Sequence, residues 1–126
     1  MSKGKTIALW IVSILLSAMF LAAGGPKLLF LDKVKPMFVH YGYPAWFAGL
    51  IGSCEVLGAI GLLIPRLAGL AAAGLSIIMV GATYTHVSHQ EYTHAITPLV
   101  LLVLLVGVAY VRFGEGRSSR SAGTSA

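Results

Sequence analysis

Apolar positions come in four long blocks, and polar ones crowd into the gaps between them. The blocks run from Thr6 to Ala23, Trp46 to Ile64, Leu67 to Thr85 and Ala95 to Val111. Each is close to the roughly 20 residues with which an α-helix crosses a ~30 Å hydrocarbon core. They are continuous rather than alternating, which argues against the ~10-residue strands of a membrane β-barrel. In lipid every backbone group must be paired within its own segment, so helices are the default. The pattern predicts an all-α integral membrane four-helix bundle over residues 1–113, with spans at about 6–23, 46–64, 67–85 and 95–111.

The gaps carry their own signals. Gly24-Gly25-Pro26 is expected to kink or end the first helix, because proline lacks an N–H and clashes with the preceding turn. From there to Pro44, Lys27, Asp32, Lys33 and Lys35 mix with Leu28, Phe30, Met37 and Phe38, a composition suited to a loop-like stretch at the membrane surface. Tyr41-Gly42-Tyr43-Pro44 reads as a turn, and Trp46 is placed like an interfacial anchor. Pro65-Arg66 makes so short a link that spans two and three must be antiparallel neighbours. Pro98 is expected in the first turn of the last span, where proline is tolerated. Residues 114–126 are Gly/Ser-rich, with Arg117 and Arg120, and are expected to form a disordered polar tail. The lysine-led first block also has the outline of a signal peptide. It is longer than the usual apolar core of about 7–15 residues, so it is read as a span.

Composition strengthens the membrane reading. The 126 residues are enough for one domain, and they are 57% hydrophobic, 10% charged, with a mean hydropathy of +0.87. Soluble domains carry roughly 25% charged residues. The net charge of +5 sits at chain ends and loop edges. That is a topology signal, and no basic groove interleaved with aromatics points to nucleic acid. With both termini in the cytoplasm, the inner side holds Lys3, Lys5, Arg66, Arg112, Arg117 and Arg120, against Lys27, Lys33 and Lys35 outside. The expected location is therefore the cell membrane, multi-pass, with both termini cytoplasmic. The single cysteine, Cys54, cannot form a CxxC redox pair.

Glu55 is the residue that most needs a reason. A charge in mid-span costs roughly 2.5–3.5 kcal/mol on insertion scales. Ala48, Gly52, Glu55 and Ala59 fall on one helical stripe of small residues, so Glu55 should face protein rather than lipid. It either marks a site or is a protonated or hydrogen-bonded carboxyl that ties helices together. Ser13, Ser17, Phe20, Gly24 and Lys27 share a face of the first helix if that helix survives Pro26. An ion pair of Lys27 with Glu55 would offset part of the burial cost. The expected depths separate them, however, and favour snorkelling of Lys27 to water. His40, His86, His89 and His94 fall on the outer side, with Tyr41, Tyr43, Tyr84 and Tyr92 beside them. Such a cluster either forms an interfacial belt or hydrogen-bonds the carbonyls of a quinone headgroup and exchanges protons. His86 and His89 lack a third spaced ligand, so no metal is expected. Glu55, Lys27 and His86 are the candidate site, with His89 and Tyr84 secondary.

Four segments together resemble the DoxX family, in particular its DoxX-like branch. They are Gly24-Gly25-Pro26-Lys27-Leu28; Tyr43-Pro44 followed by Ile51-Gly52-Ser53-Cys54-Glu55-Val56-Leu57-Gly58-Ala59; Leu62-Leu63-Ile64-Pro65-Arg66; and Met79-Val80-Gly81-Ala82 followed by His86. The resemblance covers nearly everything up to Val111 and implies a four-helix membrane bundle. Lys27, Glu55 and His86 occupy positions matching the family's pattern. Relatives include subunits of a terminal oxidase and of a thiosulfate:quinone oxidoreductase. The resemblance thus implies an accessory or anchoring subunit of a quinone-linked redox complex, with quinone as the cofactor to test and redox subunits as partners. The alternatives are a non-enzymatic assembly factor or scaffold, and a small-solute or proton pathway built as a homo-oligomer. Whether the chain is itself an enzyme is left open.

Overall fold

Three of the apolar blocks become helices long and apolar enough to cross a membrane: α1 (Lys3–Leu29), α4 (Pro65–Ser88) and the Tyr92–Gly114 part of α5 (Tyr92–Ser125). A fourth apolar helix, α3 (Phe47–Leu62), has 16 residues. At 1.5 Å per residue it is about 24 Å long, short of the ~30 Å hydrocarbon core. The remaining helix, α2 (Leu31–His40), is amphipathic and has no buried residue. This computed structural model describes the backbone of residues 2–125 and side chains of residues 2–114. No strand occurs among the described residues, and the chain is an all-α membrane protein. The tail expected to be disordered, 114–126, lies outside the residues described with side chains from Glu115 onward.

α3 is the hub of the bundle. It packs on α1 along one side and on α4 along the other, while α4 pairs along its length with α5. The buried faces follow helical spacing. α1 buries Leu9, Ser13, Leu16, Ser17, Phe20 and Gly24, and α3 buries Ala48, Gly52, Glu55 and Ala59. These are the two stripes expected from the sequence. Below, toward the N-terminus and the α3–α4 turn, Leu9, Leu16, Leu62, Leu75, Leu105 and Val108 fill the centre. Arg112 of α5 lies 5.8 Å from the ring of Trp10 and joins α5 to α1 there.

Glycine sets the helix separations. A Cβ on Gly24 would fall 2.8 Å from the Gly52 carbonyl oxygen and 2.9 Å from the Glu55 Cβ. A Cβ on Gly52 would fall 2.9 Å from the Lys27 Cβ. On the other side of α3, a Cβ on Gly58 would meet Leu75 at 2.7 Å. Without side chains at these positions the backbones approach closely, which in lipid is a principal source of helix association. The buried Ser17 hydroxyl donates to the Ala59 carbonyl at 2.8 Å, adding a polar tie between α1 and α3.

Three sequence expectations are corrected. The break at Gly24-Gly25-Pro26 does not occur: α1 runs through Pro26 to Leu29, and the expected loop is instead the end of α1 plus α2. Pro26 lies near the C-terminus, so few helical bonds remain to be lost beyond it. Gly24 is clamped against α3, and Lys27 Nζ donates to the Ala23 carbonyl at 3.1 Å. Likewise Pro98 is not in a first turn. α5 starts at Tyr92, which places Pro98 inside the helix and removes the helical donor for the His94 carbonyl. The short link also shifts: Pro65 opens α4 at its first helical position, where proline is tolerated, so the turn expected at Pro65-Arg66 falls instead at Leu63-Ile64.

Gly24→Ala should destabilise the protein by about 1–3 kcal/mol, because backbone rather than a flexible side chain blocks the new methyl. Gly25→Ala meets nothing within 4 Å, and should be neutral or stabilising by up to about 1 kcal/mol. Thermal unfolding of both variants in detergent checks the contrast.

Candidate functional site: a cavity between an ion pair and a polar clasp

At the end of the bundle opposite Arg112 the helices do not fill the centre. Every helix contributes to a cavity of about 670 Å³. Phe20, Phe38, Phe47, Ile51, Ile78, Met79 and Leu101 make its apolar walls. Its polar groups come from Lys27 of α1, Glu55 of α3, Thr85 and His86 of α4, Thr93, His94 and Thr97 of α5, and Tyr41 and Tyr43 beyond α2.

Lys27 and Glu55 meet in this cavity. Lys27 Nζ lies 2.8 Å from Glu55 Oε1, with side chains 24% and 4% exposed. The contact is ionic rather than an aligned hydrogen bond, since that oxygen has no partner of hydrogen-bond geometry. The sequence favoured a snorkelling lysine, and the geometry corrects that. α1 extends past Pro26, and the Lys27 Cβ sits level with Gly52, one turn from Glu55. Side chains lean toward the N-terminus of their own helix. In an antiparallel pair, Lys27 therefore leans down and Glu55 leans up, and the two converge. Lys27 also lies in the last turn of α1, where the helix dipole favours a cation.

The far rim is built by two helix ends of the same design. At the end of α2, Gly42 takes φ +92°, Gly42 N–H donates to the Val39 carbonyl and Tyr43 N–H to Phe38. At the end of α4, Gln90 takes φ 59°, Gln90 N–H donates to Val87 and Glu91 N–H to His86. Both are Schellman caps, which satisfy the last carbonyls and turn the chain sharply. One presents Tyr41 and Tyr43, the other Glu91. Tyr41 donates to Glu91 Oε1 at 2.7 Å, and His86 Nδ1 lies 3.0 Å from the same oxygen. Thr85 gives its proton to the Gly81 carbonyl, so Tyr43 is the donor in the Tyr43–Thr85 hydrogen bond. The Tyr41 ring stands edge-on to His86 and His89. These contacts clasp the end of α2 to the α4–α5 turn.

The clasp perturbs its own titration. The His86 and Tyr41 hydrogen bonds hold the Glu91 carboxyl below its usual range. The bond to Glu91, with some burial, pushes the Tyr41 phenol up. Both shifts follow from hydrogen bonds that favour one protonation state.

Of the residues singled out from sequence, Lys27, Glu55 and His86 line one cavity. Tyr84 is 72% exposed and does not line it. His89 lies behind Tyr41, its ring nitrogen donating to the Thr85 carbonyl at 2.9 Å. Cys54 is exposed, away from the buried Glu55. Sequence reasoning missed the contribution of α5. Thr93, Thr97 and Leu101 repeat at helical spacing, and that polar start of an apolar span was the available signal.

Because the folded Glu91 pKa is depressed, its contribution to stability is present above the ordinary carboxylate range. It is lost as the pH falls through the depressed value. Acid unfolding followed between pH 6 and about pH 3 should therefore be steeper in the wild type than in Glu91→Gln. Gln90→Gly should raise stability by about 1 kcal/mol by relieving the left-handed residue, which thermal unfolding at neutral pH would show.

No curated protein and no solved structure matches the chain. The DoxX-like family matches it over residues 11–108, a stretch that contains the Gly24–Gly52 crossing, the ion pair and the whole cavity rim. This small membrane protein belongs to the DoxX-like family.

Proposed function

We propose that the protein crosses the membrane four times, with both termini in the cytoplasm. In this reading it holds a quinone-class molecule in its cavity, as an accessory or anchoring subunit of a quinone-linked redox complex. The observation that supports this best is the cavity's make-up. It has mostly apolar walls, a volume of about 670 Å³, an ion pair in one part and a tyrosine–histidine rim in another. Ligand pockets of about 300–1,000 Å³ with few, fixed polar groups suit drug-sized apolar molecules. A quinone headgroup is flat and apolar and offers carbonyl oxygens to donors such as Lys27 and Thr97. The short α3 fits the same topology: the loop from Tyr41 to Trp46 lies at headgroup depth, and α2 rests on the outer surface.

Lys and Arg support the orientation. The end of the bundle with Arg66 and Arg112 is the cytoplasmic one by the positive-inside rule. The cell membrane, with its electron-transfer complexes, is the expected location.

A different observation favours a scaffold without a ligand. Glu55 sits at the tightest helix crossing, where a pair that ties α1 to α3 is a sufficient reason for a carboxylate. One variant separates the two readings. Ala82 lines the cavity, and Ala82→Trp places an indole in it while leaving Lys27 and Glu55 unsubstituted. In nanodiscs, a decyl-substituted benzoquinone should bind the wild type. Ala82→Trp should weaken that binding at least about tenfold, the loss of roughly 1.4 kcal/mol, with little change in melting temperature. A wild type that binds no quinone, and pulls down no redox subunit from mild detergent, sinks the proposal and leaves the scaffold.

A further inference from the structure

Glu91 is not part of the cavity wall, but both of its side-chain partners are. Tyr41 has a single proton and gives it to Glu91 Oε1. Glu91 is a carboxylate held below its usual range, and a carboxylate only accepts. The contact of His86 Nδ1 with the same oxygen therefore requires the proton on Nδ1. In a neutral imidazole the other nitrogen, Nε2, then carries a lone pair. So the histidine in the cavity wall has its tautomer set from behind, by a residue outside the cavity. A carboxylate or carbonyl behind a ring N–H is a general way of fixing which nitrogen works.

We propose that His86 determines which oxidation state of the ligand the cavity prefers. Its Nε2 accepts a hydrogen bond from the hydroxyl of a hydroquinone and disfavours the carbonyl of the matching quinone, with Glu91 as the positioning residue. The inference rests on the preceding reading that the cavity holds a quinone-class molecule. It needs no redox step: a hydrogen bond forms from the ligand O–H to Nε2, and no electron moves. An acceptor facing a hydroxyl gains a bond, while an acceptor facing a carbonyl leaves two lone pairs opposed.

The preference is pH-dependent. A second proton on His86 turns Nε2 into a donor, which suits the carbonyl form. The groups around His86 all bear on that protonation. Glu91 lies on Nδ1 and Tyr41 against the ring face. His94 of α5 has its ring 5.9 Å away, and Lys27 and Glu55 enter the same cavity from α1 and α3. His89 reaches the cluster through Tyr41. Lys27 and Glu55 are already paired with each other.

The test uses the full chain in phosphatidylcholine nanodiscs, titrated without oxygen with a decyl-substituted benzoquinone and with its hydroquinone. At pH 8 the hydroquinone should bind about tenfold more tightly, the order expected for one hydrogen bond with a matched partner. At pH 5 the ratio should fall to about one or reverse. His86→Gln, whose amide both donates and accepts, should bind the two forms alike at either pH. Glu91→Gln should lower the ratio at pH 8 by releasing the tautomer. Nitrogen-15 spectra of ligand-free protein labelled at histidine should show His86 protonated on Nδ1 at pH 8, and less so in Glu91→Gln. Equal binding of the two forms to the wild type at pH 8, or a His86 proton on Nε2, overturns this inference and leaves the quinone reading standing. Binding of neither form overturns both.

Discussion

A carboxylate buried among apolar helices must find a cation or a donor, and in this protein that requirement organises the upper half of the fold. Glu55 is 4% exposed and is met by Lys27 at 2.8 Å. The pair exists because α1 continues through Pro26, because Gly24 and Gly52 bring the two backbones together, and because antiparallel side chains lean toward each other. Taking either partner away would leave the other charge buried and unpaired, a loss usually worth about 3–5 kcal/mol. Replacing both by well-packed apolar residues is often tolerated. The pair both ties α1 to α3 and lines the cavity.

The two halves of the bundle follow different rules. The lower half is closed by leucines and by the contact of Arg112 with Trp10. The upper half is held open by polar collars that cannot collapse inward without losing partners. Tyr43 needs Thr85, Tyr41 and His86 need Glu91, and Lys27 needs both Glu55 and the Ala23 carbonyl. Buried polar groups that are fully satisfied rigidify a structure, whereas half-satisfied ones destabilise it. An apolar lining of the same shape would be free to close. The collars are what give an otherwise greasy bundle a persistent cavity.

Much of this is legible in the sequence, and the failures have physical causes. The buried stripes on α1 and α3 follow from the 3.6-residue period and the cost of a mid-span acid, so Ser13, Ser17, Gly24, Gly52, Glu55 and Ala59 can be placed without coordinates. The turn at Tyr41-Gly42-Tyr43 is announced by Gly42, which takes the positive φ. The equivalent turn after α4 is hidden, because Gln90 holds that conformation and nothing in its type says so. Glu91 therefore reads as an ordinary loop acid, although it anchors the rim. The Lys27–Glu55 pair is hidden because depth counted at the backbone separates the two residues. A lysine side chain can reach a full turn from its own Cα. Pro26 misled for a related reason: proline rules describe an isolated helix, and tertiary clamping of Gly24 overrides them.

The cavity's polar groups also differ in kind, and this bears on how a ligand would lie in it. Lys27 and Glu55 cancel as charges but leave a donor-rich ammonium, which accepts no hydrogen bonds. At the rim, the Nδ1 proton of His86 goes to Glu91, leaving Nε2 as an acceptor in the neutral ring, while Tyr41 and Tyr43 have their protons committed to Glu91 and Thr85. One region is therefore a donor and the other an acceptor. A ligand oxygen near Lys27 would meet a donor, whereas one near His86 would meet an acceptor, so the two regions ask for different groups.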